Sequence, residues 1–107
     1  MGKKPRVRPP KNPNILAIAR KAVAEGSYTP VDHAKLRLDQ REVTVLEMEQ
    51  AIARGYHETR KDEYKTEHKC WNYSIRGKTV DARELRVAVS LDKNSGLLIV
   101  TVIDLAK

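Results

Sequence analysis

The sequence predicts an α+β domain in which N-terminal helices pack on one antiparallel β-sheet. Two observations carry this. Apolar residues recur at helical spacing up to Gly55 and at alternating spacing beyond it, so a helical layer precedes a sheet. The chain has 107 residues, enough for one small core and too few for two. The expected division is a basic, disordered arm over residues 1–13 and a single domain over residues 14–107.

Each element has its own signals. Asn12-Pro13 starts a first helix whose Ile15, Ile18, Ala19, Ala22 and Val23 form one face, and Gly26 ends it. A second helix is expected from Pro30 to Gln40, with Thr29 as cap, Pro30 at the first helical position and Asp32 reaching back to the cap. Thr44-Val45-Leu46-Glu47 is a capping box that opens a third, with Val45, Met48 and Ile52 inward and Gly55 as its stop. Beyond it, Tyr56 to Asp62 reads as a polar edge strand. Trp71, Tyr73 and Ile75 alternate with Asn72, Ser74 and Arg76, and Gly77 turns the chain. Leu85, Val87, Val89 and Leu91 alternate with Arg86, Ala88 and Ser90. Asp92 to Gly96 forms a hairpin loop, and Leu97 to Ile103, apolar on both faces except Thr101, is expected in the middle of the sheet.

Composition narrows the function. The net charge of +7 is uneven, since Lys3, Lys4, Arg6, Arg8 and Lys11 supply five charges, leaving sixteen basic against fourteen acidic residues elsewhere. The domain is therefore nearly neutral. Its proline-punctuated arm is expected to solubilise the chain and to add only non-specific phosphate affinity at low salt. The lone Cys70 excludes an internal disulfide, and no apolar run is long enough to span a bilayer, so a soluble cytoplasmic protein without membrane attachment is expected. His68 and Cys70 lie one residue apart without a second ligand pair, short of a zinc site, and no metal or cofactor is expected. Phosphate-cradling glycine loops, nucleophile elbows and nucleotide fingerprints are absent.

The second helix carries the most chemistry. Val31, Ala34 and Leu38 form its apolar stripe, Arg37 and Arg41 lie on the stripe's shoulder, and His33 stands slightly further round. These groups should emerge where the helix meets its neighbour, a place for phosphate or for a buried carboxylate. In a purely structural reading His33 satisfies a buried carbonyl, Arg37 pairs with a sheet carboxylate such as Asp62 or Asp92, Arg76 and Arg86 sit on a solvated face, and Trp71, Tyr73 and Thr101 are core residues.

The order of these pieces resembles a bacterial family known as domain of unknown function 4258, grouped with the RelE-like toxin superfamily. His33-Ala34 with Arg37 and Arg41 is similar to its HAxxR helix, and Thr44 to Gly55 to its following helix. Trp71-Asn72-Tyr73-Ser74-Ile75 with Gly77, Leu85-Arg86-Val87-Ala88-Val89, and Val100-Thr101-Val102 are similar to its strand motifs. The likeness covers roughly residues 28 to 105. It implies a RelE-like architecture and a metal-independent RNA endonuclease neutralised by an antitoxin, acting on RNA or at the ribosome. Tyr64-Lys65 followed by Trp71-Asn72 is similar to MqsR-type toxins, but the shorter intervening segment argues against carrying a catalytic lysine over to Lys65.

Metal-free RNA cleavage requires a group to take the proton of the ribose 2′-hydroxyl, a group to protonate the leaving oxygen, and cations around the phosphate. On that expectation His33 transfers the proton and Arg37 stabilises charge. Arg41, Arg76 and Arg86 clamp the phosphate, while Asn72, Tyr73 and Ser74 position sugar or base. The alternative is a non-catalytic module of the same fold that binds protein or RNA.

Overall fold

The computed structural model describes residues 8–41 and 43–105, with Arg41 described by its backbone alone. The first helix, α1, spans Ile15–Glu25 and buries Ile15, Ala19 and Ala22. Gly26 ends it in the left-handed region at φ 69°, where its N–H reaches the carbonyls of Ala22 and Val23.

The next element differs from the expectation. Tyr28–Pro30 form a short strand, β1, so Thr29 and Pro30 do not open a helix. β1 lies parallel to the last strand, β6 (Gly96–Asp104), with Tyr28 opposite Leu97 and Pro30 opposite Ile99. The Val31 N–H donates to the Ile99 carbonyl at 3.0 Å, and α2 then runs from Asp32 to Arg41. Proline has no N–H for a ladder and suits an edge strand as well as a first helical turn, so the same dipeptide signals both. In consequence the sheet is mixed rather than antiparallel, and a strand precedes two of the three helices.

Helix α3 spans Val45–Arg54 and starts with the expected capping box. The Glu47 N–H donates to Thr44 Oγ1 at 3.0 Å, and the Thr44 N–H donates to Glu47 Oε1 at 2.9 Å. Its inward face is Met48, Ala51 and Ile52, while Val45, expected inside, is 49% exposed. Because the box satisfies two otherwise unpaired backbone donors, Thr44→Ala should cost ~1 kcal/mol of stability in denaturant unfolding.

Strands β4 (Cys70–Lys78) and β5 (Glu84–Asp92) complete an antiparallel centre with β6, and Tyr56–His57 form β2 on the far edge. The order is β1-β6-β5-β4-β2, which places β6 in the interior as its two apolar faces predict. The strand expected from Tyr56 to Asp62 is broken. After β2 the backbone forms a 3-10 turn over Thr59–Lys61, and β3 (Glu63–Lys65) pairs with the other end of β4. The break follows Glu58, which turns inward and is 4% exposed.

Ile75, Val87, Val89, Ile99 and Val102 face α1 and α3, and Ala34 and Leu38 of α2 join the same core. The other face of β4, β5 and β6 carries Asn72, Ser74, Arg86, Ala88, Thr101 and Ile103. A register shift between Ala88 and Val89 puts an extra residue, Val100, into β6 beside Thr101.

The arm also departs from the expectation of a structureless segment through residue 13. Its residues 1–7 lie outside the described residues, whereas residues 8–12 run against the corner formed by β3 and β4. The Trp71 indole N–H donates to the Pro9 carbonyl at 2.8 Å, and the Asn12 N–H to the Tyr73 hydroxyl at 2.8 Å.

Candidate functional site

The sheet face that carries Asn72, Ser74 and Arg86 opens into a groove of about 440 Å³. Its floor is Asn72 and Ser74 of β4, Arg86 and Ala88 of β5, and Val100, Thr101 and Ile103 of β6. His33 lines one side, and Lys61, Glu63 and Lys65 line the other. The sequence arranges this locally. Ala34, fully buried, anchors the first turn of α2 in the core, which leaves the neighbouring His33 exposed at the rim. Across the groove, alternation along β3 sends Glu63 and Lys65 to this face and Tyr64 to the other.

Arg37 lies one helical turn beyond His33, and its Nε–H donates to His33 Nε2 at 3.4 Å. His33 is exposed, and among the described residues its ring meets Arg37 rather than a buried carbonyl. Neither carboxylate named for Arg37 is its partner. Asp62 takes Lys11 Nζ at 3.1 Å, His57 Nε2 at 2.8 Å and the Ser74 N–H at 2.9 Å, while Asp92 accepts the Asn94 and Ser95 N–H groups of its own hairpin. Those two backbone hydrogen bonds hold the Asp92 carboxyl below the usual aspartate range.

Arg76 and Arg86 are half-buried, and both guanidinium groups are engaged by carboxylates. Arg86 Nε donates to Glu58 Oε1 at 2.8 Å, and Arg76 Nη1 donates to Glu58 Oε2 at 3.3 Å. Arg76 also holds Glu84 through Nε at 3.1 Å, and the Ser74 hydroxyl donates to Glu58 at 3.4 Å. Two guanidinium groups thus meet two carboxylates, and the charges cancel. The hydrogen bond from Arg86, helped by Arg76, holds the Glu58 carboxyl below the usual glutamate range against the opposing effect of burial.

A carboxyl lowered in the folded state contributes stability that is present above its unfolded pKa and disappears as pH falls through its folded one. The native chain should therefore lose stability progressively below the ordinary glutamate value of ~4.3. Glu58→Gln should be less stable at neutral pH and should lose less on acidification, as thermal melts across a pH series would show.

The remaining predicted residues divide. Asn72 and Ser74 line the groove beside Arg86. Tyr73 also borders the groove, but its ring points to the opposite face, where the residue is 5% exposed, engages Asn12 and meets the His57 ring edge-on. Arg76 pairs along the sheet outside the groove lining, and the side chain of Arg41 lies outside the described residues. Thr101 lines the groove floor rather than the core. Sequence reasoning missed Lys61, Glu63 and Glu58, because a continuous strand from Tyr56 to Asp62 offers no reason for Glu58 to turn inward or for the chain beyond it to fold back over β4.

Among the described residues no group of three or more His, Cys, Asp or Glu side chains is placed to hold a metal ion. None of their helices is long and apolar enough to cross a membrane.

Residues 31–104 match the family model described as Domain of unknown function (DUF4258). The chain belongs to this family. The DUF4258 match starts at Val31, just before α2, and ends at Asp104, the last residue of β6. Every residue that lines the groove falls inside it, whereas the arm, α1 and β1 precede the DUF4258 unit. No curated protein and no solved structure gives a significant match.

Proposed function

We propose that this DUF4258 protein is a RelE-like, toxin-type RNA endonuclease that works without a metal ion and is neutralised by an antitoxin protein. The observation that carries the reading is the placement of His33, with Arg37 against its Nε2, across a groove of mixed polar and apolar lining from Lys61 and Lys65. RNA enters with a phosphate over the floor. Arg37 turns from His33 Nε2 to the phosphate, the freed ring nitrogen takes the proton of the ribose 2′-hydroxyl, the 2′-oxygen attacks phosphorus, and the bond to the 5′-oxygen breaks. That oxygen takes a proton from solvent water, His33 returns its own proton to solvent, and a 2′,3′-cyclic phosphate remains. Arg37, Lys61 and Lys65 offset the charge that builds at phosphorus, in place of Arg76 and Arg86, whose charges are met by Glu58 and Glu84. Asn72 and Ser74 offer hydrogen bonds to sugar or base.

The same ion-paired network favours a second reading, a non-catalytic module that binds protein or RNA. A neutralised sheet centre has the form of a structural support, and Glu63 beside Lys65 at 3.2 Å lowers the net charge of that side of the groove. Tightly controlled expression in a bacterium separates the two. The endonuclease reading expects arrested growth and translation, relieved by His33→Ala in a protein that still folds. Unaltered growth, or arrest that persists with folded His33→Ala, would favour the module.

A further inference from the structure

The first charged residues of the described chain are spent within the molecule. Arg8 lies over the rings of both Tyr64 and Trp71, 5.3 and 5.7 Å from their centroids, and Lys11 Nζ stands 4.8 Å from the Trp71 centroid. Tyr64 and Trp71 are cross-strand partners on β3 and β4, and their rings meet edge-to-face at 5.4 Å. Lys11 continues past this pair to Asp62, whose carboxylate is fully buried, at 3.1 Å, and Lys11 also donates to the Thr59 carbonyl at 3.4 Å. One lysine thus ties together the 3-10 turn, the residue before β3 and the aromatic pair.

These contacts lie on one face of the β3–β4 ribbon, and the groove lies on the other. Tyr64 faces the arm, whereas its neighbours Glu63 and Lys65 face the groove. β3 has three residues and pairs with β4 alone, so apart from that pairing and the bonds of Asp62 to His57 and to the Ser74 N–H, the arm is its tie to the domain.

We propose that residues 8–12 form a strap that positions the Lys61–Glu63–Lys65 side of the groove, with Lys11 as its positioning residue, and that Lys11 does not bind phosphate itself. Cation–π contact and a charge-assisted bond to a buried carboxylate are both stronger than their solvated counterparts, which gives a basic segment reason to dock on its own domain. The consequence for RNA rests on the endonuclease reading above; the strap itself does not.

Amide hydrogen exchange on the full chain tests the strap without RNA. In Lys11→Ala, residues 59–65 should exchange on the order of 10-fold faster while β5 and β6 keep their rates, and Lys11→Arg, which preserves a cation for Asp62, should stay near the parent. Unchanged exchange over residues 59–65 in Lys11→Ala would overturn the strap. Titration of a single-stranded RNA oligonucleotide at several salt concentrations tests the consequence. Lys11→Ala should weaken binding several-fold and leave the slope of log affinity against log salt unaltered. A slope reduced by ~0.7 would mean that Lys11 contacts a phosphate directly and would overturn the positioning role. Absence of binding by the parent protein would overturn the groove reading, with the exchange rates still deciding the strap.

Discussion

Gly77→Ala should destabilise the fold by about 3 kcal/mol or more, at or beyond the upper end of what overpacking a core usually costs. Gly77 sits in β4 opposite Leu85, where α3 lies directly on the sheet. A Cβ there would stand 2.0 Å from the Ala51 carbonyl oxygen and 2.8 Å from the Gly55 Cα. Both obstacles are backbone, so no side chain can rotate away, and relief requires α3 to lift off the strand. Lifting it would expose Met48, Ala51 and Ile52, all fully buried. Gly26→Ala provides the contrast. Its Cβ would meet nothing within 4 Å, and only the left-handed φ of 69° resists it, a cost of ~1 kcal/mol. Denaturant midpoints should separate the two variants clearly, and equal midpoints would contradict the seating of α3 on β4.

His33→Ala should lower RNA cleavage by on the order of 10²-fold or more while leaving the melting temperature close to that of the parent, since a positioned general base contributes ~10²–10⁴-fold. The two halves of this expectation come from one fact. His33 is exposed at the rim of the groove, so its removal leaves no cavity, and among the described residues its polar side-chain contact is the 3.4 Å bond from Arg37. Arg37→Ala should also slow cleavage, with a smaller effect than His33→Ala, because Lys61 and Lys65 remain to offset charge. Single-turnover assays on a single-stranded RNA would measure both, and a folded His33→Ala protein with parental activity would remove His33 from the mechanism.

Much of the fold is legible in the residues alone. The capping box at Thr44, the alternation around Tyr73 and Val87, the hairpin at Asp92 and the two-faced apolar run of β6 each report a local cause that the packing respects. The misreadings come where a local signal has two meanings. Thr29-Pro30 suits both a helix start and the end of an edge strand, and the parallel partner that decides between them, Leu97 to Ile99, lies about 70 residues away. Val45 has the right spacing for the core, yet the face that α3 buries is set by the close approach at Gly55 and Gly77 and rotates Ala51 inward in its stead.

The site was legible on one side only. His33, Asn72, Ser74 and Arg86 come together because helix and strand periodicities fix where their side chains point. Lys61 and Glu63 depend on a chain reversal after Glu58, and Glu58 turns inward because Arg76 and Arg86 come to adjacent positions across β4 and β5. That juxtaposition is tertiary. A basic arm likewise reads as a solvated tail until Asp62, Tyr64 and Trp71 are seen to face it.

The measurement that bears most directly on the account is the chemistry of the RNA ends left by the purified protein in the presence of a chelator. Cleavage in which His33 takes the proton of the 2′-hydroxyl beside a phosphate held in the groove should continue undiminished and leave 2′,3′-cyclic phosphate, the product expected when the neighbouring hydroxyl is the nucleophile. Products ending in a free 3′-hydroxyl, activity that disappears with the chelator, or an intact substrate after long incubation with the folded protein would contradict it.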